Sequence, residues 1–220
     1  MSAKLAAPFP DLMDIAQLLH NAPVTSVLLL ANVLVGIYTM TTNPDLINRW
    51  SFRPALAREN GEWSRWISAG FVHAGLAHLA FNMITLYFFG PLIEGVVGPV
   101  RYLAIYFGSE LAANALTYWR HKNNPAYSAV GASGAISGVL FSFCLFQPFA
   151  TLGIMFIIPM WAIVFAPLYI VLSIYAAKQG GGRIAHEAHL GGALGGLALT
   201  ILLYPAAISI FLDQVAARFG

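Results

Sequence analysis

The sequence predicts an all-α polytopic membrane protein with six transmembrane helices, a short fourth helix in the bundle and a membrane-embedded first loop. Composition is the first reason. Of 220 residues, 59% are hydrophobic and 9% charged, whereas soluble domains run at roughly a quarter charged. With a mean hydropathy of +0.72, the chain holds more apolar surface than a water-soluble domain can hide. The second reason is spacing: apolar runs approaching the roughly 20 residues that cross a bilayer alternate with polar connections. The length suits one domain. It divides into an amphipathic segment over 1–23, a six-helix membrane domain over 24–212 and a tail over 213–220.

In chain order, Phe9, Leu12, Ile15, Leu18 and Leu19 recur at helical spacing, which predicts a small helix lying on the membrane surface. The first span covers about 24–40 and stops before Thr41-Thr42-Asn43-Pro44. A connection to about residue 70 interleaves Arg49, Arg53, Arg58, Glu59, Glu62 and Arg65 with Trp50, Phe52, Trp63 and Trp66. That mixture suits a loop in the headgroup region. The second span is about 71–97 and the third about 100–118, followed by a polar connector over 119–130.

The fourth span opens near Ser133 and meets Pro148 after about 15 residues, too few to cross alone. A helix end inside the membrane is tolerated where protein or a water-filled cavity surrounds it. A sunken, hydrated pocket is therefore expected at Ser133. The fifth span is about 151–177, interrupted by Pro159 and Pro167. Gly180-Gly181-Gly182 then forms a connector, and the sixth span is about 185–210. Gly134 and Gly138, Gly191 and Gly195, and Gly192 and Gly196 are each four apart, which makes flat stripes for close helix approach. Contact between the fourth and sixth helices would bring Ser133 near His189. The net charge of +2 forms no basic block, so no nucleic-acid partner is expected. The single cysteine, Cys144, excludes an intrachain disulfide.

The chemistry rests on polar residues in three apolar segments. A serine hydroxyl is a weak nucleophile unless a base activates it, and histidine is the usual base near neutral pH. His189 lies deeper than His186 and precedes the glycine stripe, so it is the candidate base. Glu187, two residues away, falls on nearly the opposite helix face. Glu94 and Glu110 are acids at membrane depth that nothing in the sequence aims at His189. A Ser133–His189 dyad therefore fits better than a triad. His78 and Asn82, four apart, share one face of the second span, and with the Ser133 amide they can serve as donors to an oxyanion. His73 lies about 140° round the helix from His78 and takes a structural role. Packing is the plainer reading of any one of these residues. Zinc held by His78, His186 and His189 leaves Ser133 and Asn82 without a purpose, and His-Glu-x-x-His is absent. Glu94 and Glu110 can also mark a transport pathway.

Taken together, these stretches resemble the rhomboid family of intramembrane serine proteases. The carriers are Gly131-Ala132-Ser133-Gly134, His78-Leu79-Ala80-Phe81-Asn82 and Ala188-His189-Leu190-Gly191-Gly192, in family order over about residues 24–212. The resemblance implies Ser133 as nucleophile, His189 as base, and His78, Asn82 and the Ser133 amide as the oxyanion site. It implies Gly131, Gly134, Gly192, Gly196, Arg65 and Glu94 as supporting residues. It also implies transmembrane-segment substrates cut near a small residue, no metal and no cofactor. A tyrosine that packs on the histidine in some members falls at Ser137 here, and the first loop's Trp-Arg pair is split as Trp63-Ser64-Arg65. The family topology sets the protein in the cell (inner) membrane with the active site opening outside the cytoplasm. That leaves three Lys and Arg inside (Lys4, Arg101, Arg218) and eight outside, opposite to the positive-inside tendency. Structured, membrane-embedded arginines in the first loop reconcile the two. The rival readings are a rhomboid-like binder of membrane helices that does not cut them, and a transporter.

Overall fold

The computed structural model describes residues 13–154, 158–179 and 185–220. Helices dominate them: α1 (Ile15–Asn21), α2 (Pro23–Thr41), α3 (Asp45–Trp50), α4 (Pro54–Asn60), α5 (Arg65–Ser68) and α6 (Leu76–Val97) come first. They are followed by α7 (Pro99–His121), α8 (Ser133–Phe146), α9 (Ala162–Gln179), α10 (His186–Leu203) and α11 (Ala206–Phe219). Prolines open α2, α4 and α7, where a missing N–H costs nothing. By length and composition α2 and α6 can each cross a membrane, while α8 and α9 are apolar but shorter.

The bundle is organised around α10, which packs against α7 and α8. Its glycines face both neighbours. A Cβ on Gly192 would lie 2.0 Å from the Gly134 carbonyl oxygen, and one on Gly196 would lie 2.2 Å from Gly138 Cα. On the other side, a Cβ on Gly195 would lie 2.4 Å from Ala112 Cβ. Backbone therefore meets backbone, the contact that small residues permit inside a bilayer.

Between α2 and α6 the first loop folds on itself. Arg65, 8% exposed, donates from Nη1 to the carbonyls of Asn48 (2.9 Å) and Ser51 (2.8 Å), and its Nε pairs with Glu62. Hydrogen bonds from Arg65 and Asn60 hold the Glu62 carboxyl below the usual carboxylate range. Glu94, at the far end of α6 and 2% exposed, caps α2. Its oxygens accept the N–H groups of Val24 (2.9 Å) and Thr25 (2.8 Å) and the Thr25 hydroxyl (2.8 Å). Ala22, the residue at the cap position, has no side chain able to do this.

Several boundaries differ from those expected. The helical part of the second span starts at Leu76, because Ala69–Phe71 form a 3-10 turn and Val72 is extended. α7 runs on to His121 and takes in the first residues of the supposed polar connector. The fifth span is not helical from 151, so the chain is not purely all-α. β1 (Thr151–Ile154) and β2 (Ile158–Trp161) pair antiparallel, Thr151 opposite Trp161 and Gly153 opposite Pro159. Ile158 precedes a proline and is pushed toward extended backbone, and its β-branched and aromatic neighbours suit a strand. Pro159 thus lies in a strand, and only Pro167 interrupts α9. The helix expected to run to about 210 stops at Leu203: Pro205 follows, and α11 turns away from α10 by 102°. The expected tail from 213 is part of α11. Phe9, Leu12 and the Gly180–Gly182 connector lie outside the described residues.

Candidate active site

The residues leading into α8 are held by the first loop. Phe52 and Ala129 exchange backbone hydrogen bonds of 2.8 and 3.0 Å, and Gly131 N–H donates to the Ala69 carbonyl at 2.9 Å. Gly131 has φ +112°, a conformation that L side chains rarely adopt. Space excludes a side chain as well: a Cβ there would lie 2.5 Å from His78 Cε1 and 2.8 Å from His78 Nε2. The imidazole of His78 occupies the room that a residue other than glycine would fill.

Asn82, one turn further along α6, is 3% exposed, and its Nδ2 lies 3.5 Å from the same point. Among the described residues that amide nitrogen has no hydrogen-bond partner. An unmet buried donor costs about 1–3 kcal/mol, so it is informative where it occurs. Here it lies beside the start of α8, where helix geometry leaves amide N–H groups open. The arrangement can donate hydrogen bonds to an oxygen that arrives from outside. His73 is fully buried with its ring centroid 5.2 Å from that of His78.

His189 occupies the first turn of α10. Its Nε2 is 2.8 Å from Ser133 Oγ, within the range expected of a nucleophile and its base. The contact follows from the glycines one turn on, because Gly192 on Gly134 brings the two helix starts together. The neighbouring acid is turned elsewhere. Glu187 pairs with His121 Nε2 and lies 4.0 Å from Arg120 Nε, while the His121 ring stacks on Tyr127 at 3.7 Å. Among the described residues no carboxylate hydrogen-bonds His189. His186 is half-buried, its ring centroid 6.4 Å from that of His189. Ser137 bonds a tyrosine brought from another helix, its Oγ 3.0 Å from the Tyr169 hydroxyl of α9.

Glu110, which the sequence marked as an acid at membrane depth without aiming it at His189, lies at this site. From α7 it reaches the start of α8, where its Oε2 accepts the Ala135 N–H at 3.2 Å. Its Oε1 accepts from Asn114 Nδ2 at 3.1 Å. The available signal was the pair itself: two strongly polar residues four apart on one face of an apolar helix. A cavity of about 20 Å³, room for about one water, opens beside Ser133 between Glu110, Asn114, Gly131 and Ala188.

Apolar helical architecture and this serine–histidine contact describe a class, helical membrane proteins with a serine and a histidine in hydrogen-bond contact. The comparisons narrow the class. Residues 60–206 match the Rhomboid domain, more than half of the chain, and the protein belongs to the rhomboid family. YdcA of Bacillus subtilis is 43% identical over 88 residues, covering 40% of this chain and 43% of that protein. RHOMBOID-like protein 12, mitochondrial, of Arabidopsis thaliana is 30% identical over 150 residues, covering 61% of this chain and 45% of the relative. Rhomboid protease GluP of Bacillus subtilis is 30% identical over 126 residues, covering 55% and 24%. The matched stretches thus span less than half the length of these relatives.

Proposed function

We propose that the protein is an intramembrane serine endopeptidase acting on transmembrane segments. The observation that carries this reading is the 2.8 Å contact between Ser133 Oγ and His189 Nε2. In the proposed cycle His189 Nε2 takes the Ser133 proton as Oγ attacks the scissile carbonyl carbon. The oxyanion receives hydrogen bonds from His78, Asn82 and the Ser133 amide. The C–N bond then breaks as His189 returns the proton to the leaving amine, leaving an acyl ester on Ser133. A water, deprotonated by His189, attacks the ester and releases the new carboxylate and the serine. The kinship with GluP, a rhomboid protease by name, supports the reaction class.

The proposed setting is a six-span core in the cell membrane, with α7 to α9 and the bent pair α10–α11 completing what α2 and α6 begin. The site opens on the extracytoplasmic side, and the substrate helix enters beside α9. The natural partners are transmembrane proteins and the bilayer itself, and no metal or cofactor takes part. Labelling with a fluorophosphonate probe in detergent tests the chemistry. Wild type is expected to label at Ser133, Ser133→Ala not at all, and His189→Ala at a rate lower by about a hundredfold or more. Folded wild-type protein that neither labels nor cuts a model transmembrane substrate would refute the proposal in favour of a helix-binding role.

A further inference from the structure

Besides Glu187, which pairs with His121, two acids are buried among the described residues, Glu94 (2% exposed) and Glu110 (5% exposed), and the proposed reaction uses neither. A buried carboxylate is costly unless hydrogen bonds satisfy it, so each has a role to explain. Glu94 accepts the first amides of α2, a helix that carries no chemistry. Glu110 makes the same kind of contact with α8, whose first residue is Ser133. α8 cannot cap itself, since the preceding residue is Ala132. Glu110 Oε2 instead accepts the Ala135 N–H from the flank.

A serine, threonine or aspartate at the cap position would accept the N–H of the second or third helical residue, Gly134 or Ala135. Glu110, reaching from α7, takes the place of that missing cap on the Ala135 amide. The Ser133 N–H, one of the amides that a helix start leaves open, has no backbone acceptor among the described residues. The approach is close: a Cβ on Gly134 would lie 2.6 Å from Ala113 Cβ and 3.0 Å from Glu110 Oε2. The other oxygen ties in the first loop. Asn114 Nδ2 bridges Glu110 Oε1 (3.1 Å) and the Trp66 carbonyl (2.9 Å). A Cβ on Gly70 would lie 3.3 Å from Oε1. First loop, α7 and the start of α8 therefore meet at one carboxyl group, and both of its oxygens act as acceptors.

We propose that Glu110 is a positioning residue for Ser133, a cap supplied by α7 that fixes the first turn of α8. The proposal rests on the reading of Ser133 as nucleophile. Its test compares Glu110→Leu and Glu110→Gln with wild type and Ser133→Ala, reading kcat, KM and thermal unfolding in detergent. Leucine fills similar volume without a buried charge, a change that often leaves stability equal or higher. The expected result is a folded Glu110→Leu protein with unchanged KM and kcat lower by about a hundredfold, the scale of a small misplacement at a reacting centre. Glu110→Gln, which keeps one acceptor oxygen, should fall between that variant and wild type. Should Glu110→Leu fail to fold, the isosteric Gln variant decides by the same kcat measure. Wild-type kcat in the folded variants would overturn the proposal, as would a loss matching only the loss of folded protein. If Ser133→Ala still cuts, the nucleophile assignment fails and takes this one with it. If Ser133→Ala is dead while the Glu110 variants run at full rate, only the positioning role fails.

Discussion

Asn82 is a residue for which stability and activity should part. Its Nδ2 is buried without a partner among the described residues, so in the resting protein it is a cost, and its benefit can only arise when an oxygen reaches it. Replacing Asn82 by Ala should leave the thermal midpoint in detergent unchanged or raised, because no existing bond to that nitrogen is lost. Cleavage should fall, by about 10²–10³ in kcat if the side chain meets a developing oxyanion. A destabilised variant with normal kcat would reverse the reading and make Asn82 a packing residue. Gly131 belongs to the same scale, since only a residue without a side chain leaves room there for the His78 ring.

At the scale of helices, α10 decides whether the pair exists. Gly192→Ala puts a methyl group 2.0 Å from the Gly134 carbonyl oxygen, where backbone rather than a flexible side chain must move. The expected cost is about 1–3 kcal/mol of stability, as for overpacking in other cores. Parting the helices should also lengthen the Ser133–His189 contact and slow fluorophosphonate labelling. Leu194→Ala, at a position 43% exposed on the same helix, should label at the wild-type rate and so serves as the control. The same scale shows where pattern reading falls short. Thr151 to Trp161 is apolar enough to extend α9, and hydrophobic content alone does not separate a strand from a helix over so short a run. The Ile158-Pro159 step was the local signal for extended backbone.

For the molecule as a whole the question is how a 14-residue helix, about 21 Å long, fits a hydrocarbon core of about 30 Å. α11 answers it. Turned by 102° from α10, it passes beneath the end of α8, where Gln214 Nε2 donates to the Phe146 carbonyl at 2.9 Å. The Phe146 ring meets Tyr204 edge-on at 5.7 Å. Gln214→Leu should leave that carbonyl unmet and lower stability by about 1–2 kcal/mol in thermal unfolding. The labelling rate of Ser133 should hold, because the lost bond is at the opposite end of α8. A parallel loss of labelling would mean that the floor of the bundle and the site are coupled.

Composition and apolar spacing were enough to establish a helical membrane protein. The separations His78 to Asn82 and Gly192 to Gly196 were enough to assign residues to shared faces, because helix periodicity is a local property that one strand of sequence encodes. The tertiary structure alone decided the 2.8 Å approach of His189 to Ser133, the turning of Glu187 toward His121, and the delivery of Glu110 to the Ala135 amide. It also decided the hairpin before α9 and the bend after α10. Each of these depends on the depth and rotation at which one helix seats against another. Those are set by backbone contacts between glycines and by buried hydrogen bonds between residues distant in the chain, and no periodicity within a single helix records them.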